Sequence, residues 1–202
     1  TAPQPGTEDA DNQVVIARQA ILDESRAVFG YELFDRSTAA NTHTAASDAA
    51  LLFNALCYAG SEALGSKKIV FINCTHESLA GGHLELIHPD KVVLEVPILA
   101  ANATPDQIEQ LLPTLQALRT RGFRLAFSQD VLRRAYATWL PLANFIKLDM
   151  QAIKPEQIEP LVKYVRANSP QATLIAEKVE TAEQHERMAA LGVKLFQGYW
   201  FA

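Results

Sequence analysis

Residues 122–130 read Gly-Phe-Arg-Leu-Ala-Phe-Ser-Gln-Asp, and residues 144–150 read Asn-Phe-Ile-Lys-Leu-Asp-Met. These are two short apolar runs, each ending in polar residues, and the residues between them, 131–143, have the length of about one helix. The whole stretch reads as a right-handed strand–helix–strand crossover. In such a unit the polar residues that follow each strand face the same rim. Open parallel sheets and parallel barrels both place ligand sites at the carboxyl ends of their strands, which makes Ser128, Gln129 and Asp130, and then Lys147 and Asp149, candidate site residues. Solvated loop starts would give the same pattern. Lys147 and Asp149, however, alternate with Ile146 and Leu148 inside a strand, and a lysine facing a barrel interior needs a paired or functional reason to be there.

The alternation of strands and helices continues on both sides. Toward the C-terminus, residues 155–168 form a helix and 172–179 a strand. Thr181-Ala-Glu-Gln is a capping box for a helix to Leu191, and 194–201 is a last strand. Toward the N-terminus, Gly122 closes a helix that Thr104-Pro-Asp-Gln opens with proline at its first position, and Pro113 is expected to kink it. Strands at 92–96 and 68–73 precede it, with a short, glycine-weakened helix at 75–85 between them. Ser47 and Asp48 cap a helix to about Leu64, with Leu51, Leu52, Ala55 and Tyr58 on one face and Gly65 at its end. Residues 36–46 form a polar loop. The apolar runs 14–22 and 27–34 are separated only by Asp-Glu-Ser-Arg, which allows a hairpin and no crossover, so this pair is antiparallel. Residues 1–12, with two prolines, one glycine and three acidic residues, read as a disordered leader to a barrel domain spanning 13–202.

The chain has 202 residues, 49% of them hydrophobic and 20% charged, enough for one domain with its own core. Eight strands, mostly parallel and almost continuously apolar, fit a closed barrel better than an open sheet, which would leave edges. A standard barrel of this kind averages about 250 residues. The expected fold is therefore α/β, a modified, trimmed (β/α)8 TIM-like barrel with an antiparallel first strand. The net charge of −5, with no run of Lys or Arg, argues against a nucleic-acid partner. No apolar stretch reaches about 18 residues, so no membrane segment is expected. The two cysteines, Cys57 and Cys74, suit buried thiols in a reducing, cytoplasmic compartment. The five histidines, His43, His76, His83, His88 and His185, show no metal-ligand spacing and read mostly as surface residues. Trp139 and Trp200 read as core or interface. No G-x-S-x-G, P-loop or G-x-G-x-x-G occurs, and Ala80-Gly-Gly-His reads as a loop.

Polar residues collected from the carboxyl ends of the expected strands are Glu32, Asn73, Glu95, Ser128, Gln129, Lys147, Asp149, Glu177, Glu180 and Gln197. Glu, Asn, Asp and Lys side chains converging on one rim are how a protein holds divalent metals against a phosphodiester. Five motifs then occur in order: Gly30-Tyr-Glu-Leu-Phe-Asp-Arg36, Phe71-Ile-Asn73, Phe145-Ile-Lys-Leu-Asp149, Ala176-Glu-Lys-Val-Glu-Thr181 and Gln197-Gly-Tyr199. With these motifs the chain resembles the EAL domain family, the cyclic di-GMP phosphodiesterases of bacterial signal transduction, over residues 14–202. The resemblance implies Mg²⁺ or Mn²⁺ in active relatives and marks Glu32, Asn73 and Glu177 as metal-ligand positions. By the same resemblance Glu32, Lys147, Asp149 and Glu180 are catalytic positions. Gln19, Phe34, Arg36, Glu177 and Gln197 are the ligand-binding ones.

The departures from that pattern bear on function. Ser128 and Gln129 stand where the family carries two metal-bridging aspartates, with Asp130 one residue out of register and, on an alternating strand, facing away. Ile98 stands where a metal-ligating glutamate belongs, and Lys178 replaces a glycine, adding positive charge beside the pocket. A two-metal site needs several carboxylates to offset about four positive charges, and three acidic ligands are missing. Asp90 and Asp106 lie near the right loops without a pattern that points them inward. The short first-helix region resembles the degenerate EAL domains that precede an HDOD domain. The expected function is that of a catalytically inactive, EAL-like signalling or protein-interaction module without a metal cofactor. Its partners would be proteins or an adjacent HDOD-like domain. A cyclic di-GMP receptor without hydrolysis and a weak metal-dependent phosphodiesterase remain as alternatives. Lys147 is expected to pair with Glu177, Glu180 or Asp149.

Overall fold

The computed structural model describes residues 16–35 and 68–201. Eight strands close a barrel in chain order: β1 Ile16–Leu22, β2 Val28–Asp35, β3 Ile69–Asn73, β4 Val92–Glu95, β5 Arg124–Ser128, β6 Phe145–Asp149, β7 Thr173–Glu177 and β8 Leu195–Phe196. β1 runs antiparallel to both its neighbours, β2 and β8, and every other pairing is parallel. The hairpin turns on Asp23, whose carboxylate accepts from the backbone N–H groups of Ser25 and Ala27, with Arg26 at φ 60°. The leader expected at 1–12, the loop at 36–46, the helix from Ser47 to Leu64, Cys57 and His43 lie outside the described residues.

A period of two decides what the barrel encloses. Ile21, Phe71, Val93, Ala126, Phe145, Ile175 and Leu195 form one buried cluster that fills the barrel, with Phe71 and Phe145 in edge contact at 5.1 Å. Two residues further along each strand the same inward face turns polar: Asn73 after Phe71, Glu95 after Val93, Ser128 after Ala126, Lys147 after Phe145, Glu177 after Ile175, Gln197 after Leu195. On β1, which runs the other way, Gln19 precedes Ile21. The outward face, with Ile72, Leu94, Leu125, Phe127, Ile146 and Leu148, belongs to a second cluster under the helices.

Those helices are α1 His76–Ala80, α2 Pro105–Thr120, α3 Pro155–Asn168 and α4 Ala182–Ala190. Thr75, Thr104 and Thr181 each cap a helix in a capping box. α2 continues through Pro113. The helix expected at 75–85 stops at Gly81, and 82–86 form a separate 3-10 turn. The crossover at 131–143 contains no α-helix. It is built from three 3-10 turns, Gln129–Leu132, Arg134–Tyr136 and Leu140–Leu142, with Arg133 extended between the first two. Tertiary anchoring overrides the helical spacing here. Trp139 is fully buried and its Nε1–H donates to the Ile108 carbonyl, the Tyr136 hydroxyl accepts the Leu99 N–H, and Pro141 has no N–H to continue a helix. The last strand is also shorter than expected. Gly198, at φ 155°, turns the chain, and Tyr199–Phe201 form a 3-10 turn instead of strand.

Candidate functional site

Lys147 stands at the centre of the polar layer, 5% exposed. Its Nζ lies 2.9 Å from Glu32 Oε2, 2.5 Å from Glu95 Oε1 and 3.7 Å from Glu177 Oε2, and it donates to Gln197 Oε1 at 3.2 Å. The Glu95 contact is an ion pair without hydrogen-bond alignment, since Glu95 Oε1 is buried and receives no well-directed donor among the described residues. Glu32 is fully served. Its Oε2 accepts from Asn73 Nδ2 at 3.2 Å as well as from Lys147, and its Oε1 accepts from Gln197 Nε2 at 2.8 Å. Gln197 Nε2 also donates to Gln19 Oε1 at 2.9 Å, which ties the antiparallel strand into the network.

Burial and charge compete at these groups. Burial alone would raise the Glu32 carboxyl, but the Lys147 ammonium and the hydrogen bonds from Lys147 and Gln197 outweigh it and hold it at about 2. Glu95 goes the other way. Burial and the neighbouring Glu32 charge raise it above the usual carboxylate range despite Lys147. Burial raises Glu177 too. Lys147 is lowered by burial, yet Glu95, Glu32 and Glu177 together raise it, so the ammonium stays charged.

Above the network opens a cavity of about 220 Å³, lined by Asn73, Glu95, Ile98, Ser128, Lys147 and Glu177 among others. The remaining candidates fall at its edge or away from it. Asp149 pairs with Lys178 at 2.9 Å, and its other oxygen accepts the N–H groups of Gln151 and Ala152. Burial would raise Asp149, but these partners bring it below the usual carboxylate range. Gln129 Oε1 accepts the Asp149 N–H at 3.2 Å. Glu180 is exposed and accepts from Gln151. Of the three partners expected for Lys147, only Glu177 is near it; Asp149 and Glu180 are taken by Lys178 and Gln151. Asp130 is exposed, its N–H donating to Ser128 Oγ. Phe34 sits on β2 and is not among the residues lining the cavity, and Arg36 lies outside the described residues. Asp90 precedes β4, at the opposite end of the barrel, and faces His88 at 3.0 Å. His76 is half-buried rather than on the surface, with Nε2 2.7 Å from the Pro97 carbonyl, and His185 stacks on Trp200. Nothing in the sequence pattern signals that Lys178 reaches Asp149.

A family model for the EAL domain matches residues 68–202, two thirds of the chain. The chain belongs to the EAL domain family. It is 29% identical over 201 residues to the cyclic di-GMP phosphodiesterase CdgJ of Vibrio cholerae, covering 96% of this chain and 45% of that protein. The chain thus spans about half the length of the curated relatives it matches. Among solved structures, Klebsiella pneumoniae BlrP1 with calcium and cyclic di-GMP superposes with a TM-score of 0.70 at 24% identity, covering 92% of this chain and 54% of that one. Bacillus subtilis YkuI, also with calcium and cyclic di-GMP, gives 0.68 at 21% identity over 95% of this chain and 55% of that one. These likenesses establish the barrel as the EAL fold.

Most carboxylates at the rim of this EAL domain are already paired with a lysine. Among the described residues no group of three or more His, Cys, Asp or Glu side chains is arranged to hold a metal ion. Glu32 and Glu95 are spent on Lys147, Asp149 is spent on Lys178, and Ile98 and Ser128 bring no carboxylate to the cavity they line.

Among the described residues, no helix is long and apolar enough to cross a membrane.

Proposed function

We propose that this chain is a degenerate EAL domain, a signalling module that takes part in protein interactions and does not hydrolyse cyclic di-GMP. One observation carries the reading: Lys147 and Lys178 already neutralise the rim carboxylates, while Ile98, Ser128 and Gln129 occupy the positions of acidic ligands. Hydrolysis of a phosphodiester at neutral pH needs an activated water and an electrophile for the phosphate oxygens, and this rim supplies no group poised for the first task. An adjacent HDOD-like domain or another protein is the partner in this reading, and no metal cofactor is required.

Two observations favour other readings. Glu32 and Glu177 line the cavity above the network, with Gln197 hydrogen-bonded to Glu32 and to Gln19, which supports a cyclic di-GMP receptor that binds without cleaving. The likeness to CdgJ, named as a phosphodiesterase, supports a weak metal-dependent enzyme. The deciding experiment incubates the purified protein with cyclic di-GMP and Mg²⁺ or Mn²⁺ and separates the products by chromatography. No linear dinucleotide above background is expected. Linear product that disappears in a Glu32→Ala variant would overturn the proposal.

A further inference from the structure

Lys178 has a backbone φ of 56°, in the left-handed region that residues carrying a Cβ rarely adopt. The conformation is imposed from both sides. The Glu177 carbonyl accepts the Met150 N–H at 3.0 Å, and the Val179 N–H donates to the Gln197 carbonyl at 3.0 Å. Gly198 packs so closely on the Val179 backbone that a Cβ there would overlap it. A residue held this way in strain by its neighbours points to a local function. Its side chain is 53% exposed and reaches over the rim to Asp149 Oδ2 at 2.9 Å. Asp149 does not need it for positioning, because the N–H groups of Gln151 and Ala152 already hold the other oxygen at 2.8 and 3.1 Å. One ammonium donor meets Asp149, and among the described residues the other two have no partner. The hydrogen bond to Asp149 and the nearby charges of Glu177 and Glu32 keep the group charged.

We propose that Lys178 is a ligand-binding residue that gives the rim a fixed positive charge for the phosphate of a phosphodiester ligand of the cyclic dinucleotide class, without a metal. The inference rests on the receptor reading above. Lys147 cannot serve this purpose, since it is buried among carboxylates that consume its charge. Lys178 is exposed and hydrogen-bonds a single carboxylate, whose other oxygen keeps its two backbone N–H partners when the ammonium swings to a phosphate. An ammonium–phosphate contact is charge-assisted and sensitive to salt.

The test is calorimetric titration of cyclic di-GMP into wild type, Lys178→Gly and Lys178→Arg, each in EDTA and again with Mg²⁺, with thermal unfolding of all three proteins. Wild type is expected to bind in EDTA, Lys178→Gly to bind about tenfold or more weakly, and Lys178→Arg to stay within about threefold of wild type. Lys178→Gly is expected to melt no lower than wild type, because glycine accepts the left-handed conformation without strain. Equal affinities for wild type and Lys178→Gly, or a large fall in melting temperature with no loss of affinity, would overturn the proposal in favour of a structural lysine. Binding that requires Mg²⁺ would overturn it while the receptor reading stands. No binding under either condition would remove both.

Discussion

Replacing Lys147 with methionine tests the electrostatics of the rim most directly. The side chain is 5% exposed and Nζ is within 2.9 Å of two carboxylates. Methionine fills similar volume without charge, so the change isolates the ammonium. Breaking a buried ion pair by removing one partner costs about 3–5 kcal/mol. The Glu32 carboxyl points the same way: burial would raise it, and the Lys147 ammonium is the largest influence holding it below the usual carboxylate range. Domains of this size have about 5–15 kcal/mol of stability, so the variant should fold with much of its margin gone.

The pH dependence carries a sign that a simple packing defect would lack. In the wild type, Glu32 is lowered on folding, so its contribution is complete above about 4.5 and is lost only as pH falls through about 2. Without Lys147, burial prevails and the folded-state value of Glu32 rises above the unfolded one. Its contribution is then largest at low pH and is lost as pH rises. Glu95 and Glu177, already raised by burial, slope in that same direction in both proteins, so the readout is the difference between them. Urea unfolding followed by tryptophan fluorescence at pH 7 and pH 5 should show Lys147→Met destabilised by about 3–5 kcal/mol at pH 7, with a clearly smaller loss at pH 5. A loss under about 1 kcal/mol at pH 7, or one that grows as the pH falls, would refute the account.

Trp139→Ala should lower stability by about 3–5 kcal/mol in the same assay, because the indole is fully buried and its Nε1–H satisfies the Ile108 carbonyl; a loss below about 1 kcal/mol would show that the 3-10 crossover is not anchored by this side chain. The triple variant Ile98→Glu, Ser128→Asp, Gln129→Asp should acquire Mn²⁺ binding without useful turnover. Its new carboxylates reach the rim, but Gln129 is lost from the Asp149 N–H, and a misplacement of about 1 Å can cost about a hundredfold in rate. Mn²⁺ titration and a hydrolysis assay run in parallel check it, and robust turnover would mean that ligands alone had been missing.

The barrel was legible because its two determinants are local. Strand-length apolar runs ending in polar residues mark the carboxyl rim, and the four-residue gap before Ala27 permits nothing but a hairpin, hence the antiparallel β1. Residues 131–143 were misread because their spacing is compatible with a helix while Tyr136 and Trp139 are fixed by partners about 30 residues away in sequence. The last strand was overdrawn because aromatic residues 199–201 look like strand, and the turn at Gly198 depends on contact with Val179. At the site, Glu32, Glu95, Lys147, Glu177 and Gln197 are legible as polar residues at the carboxyl ends of the strands, together with Asn73, Ser128, Gln129, Asp149 and Glu180. Which carboxylate each lysine takes is not. That choice depends on barrel curvature, which brings β2 and β4 across to Lys147 on β6, and on the left-handed turn that sends Lys178 back to Asp149.

Burial also separates the rim residues the barrel depends on from those it can exchange. Glu32, Glu95, Lys147 and Gln197 are all under a tenth exposed and interlocked, so changing one strands a buried partner without water. Ile98, Ser128 and Gln129 sit at half-buried positions at or just beyond strand ends, where a carboxylate can be exchanged for a neutral side chain with little structural consequence. An intact central network is therefore what a stable barrel of this sequence requires, with or without a ligand, and its presence alone does not argue for binding. In the receptor reading, the residues that would bear on binding are those the barrel can dispense with. Asn73 and Glu177 line the cavity half-buried, and Lys178 is exposed and strained. A ligand-binding rim should lose affinity at these positions while keeping its melting temperature, whereas at Glu32, Glu95 and Lys147 the two should fall together.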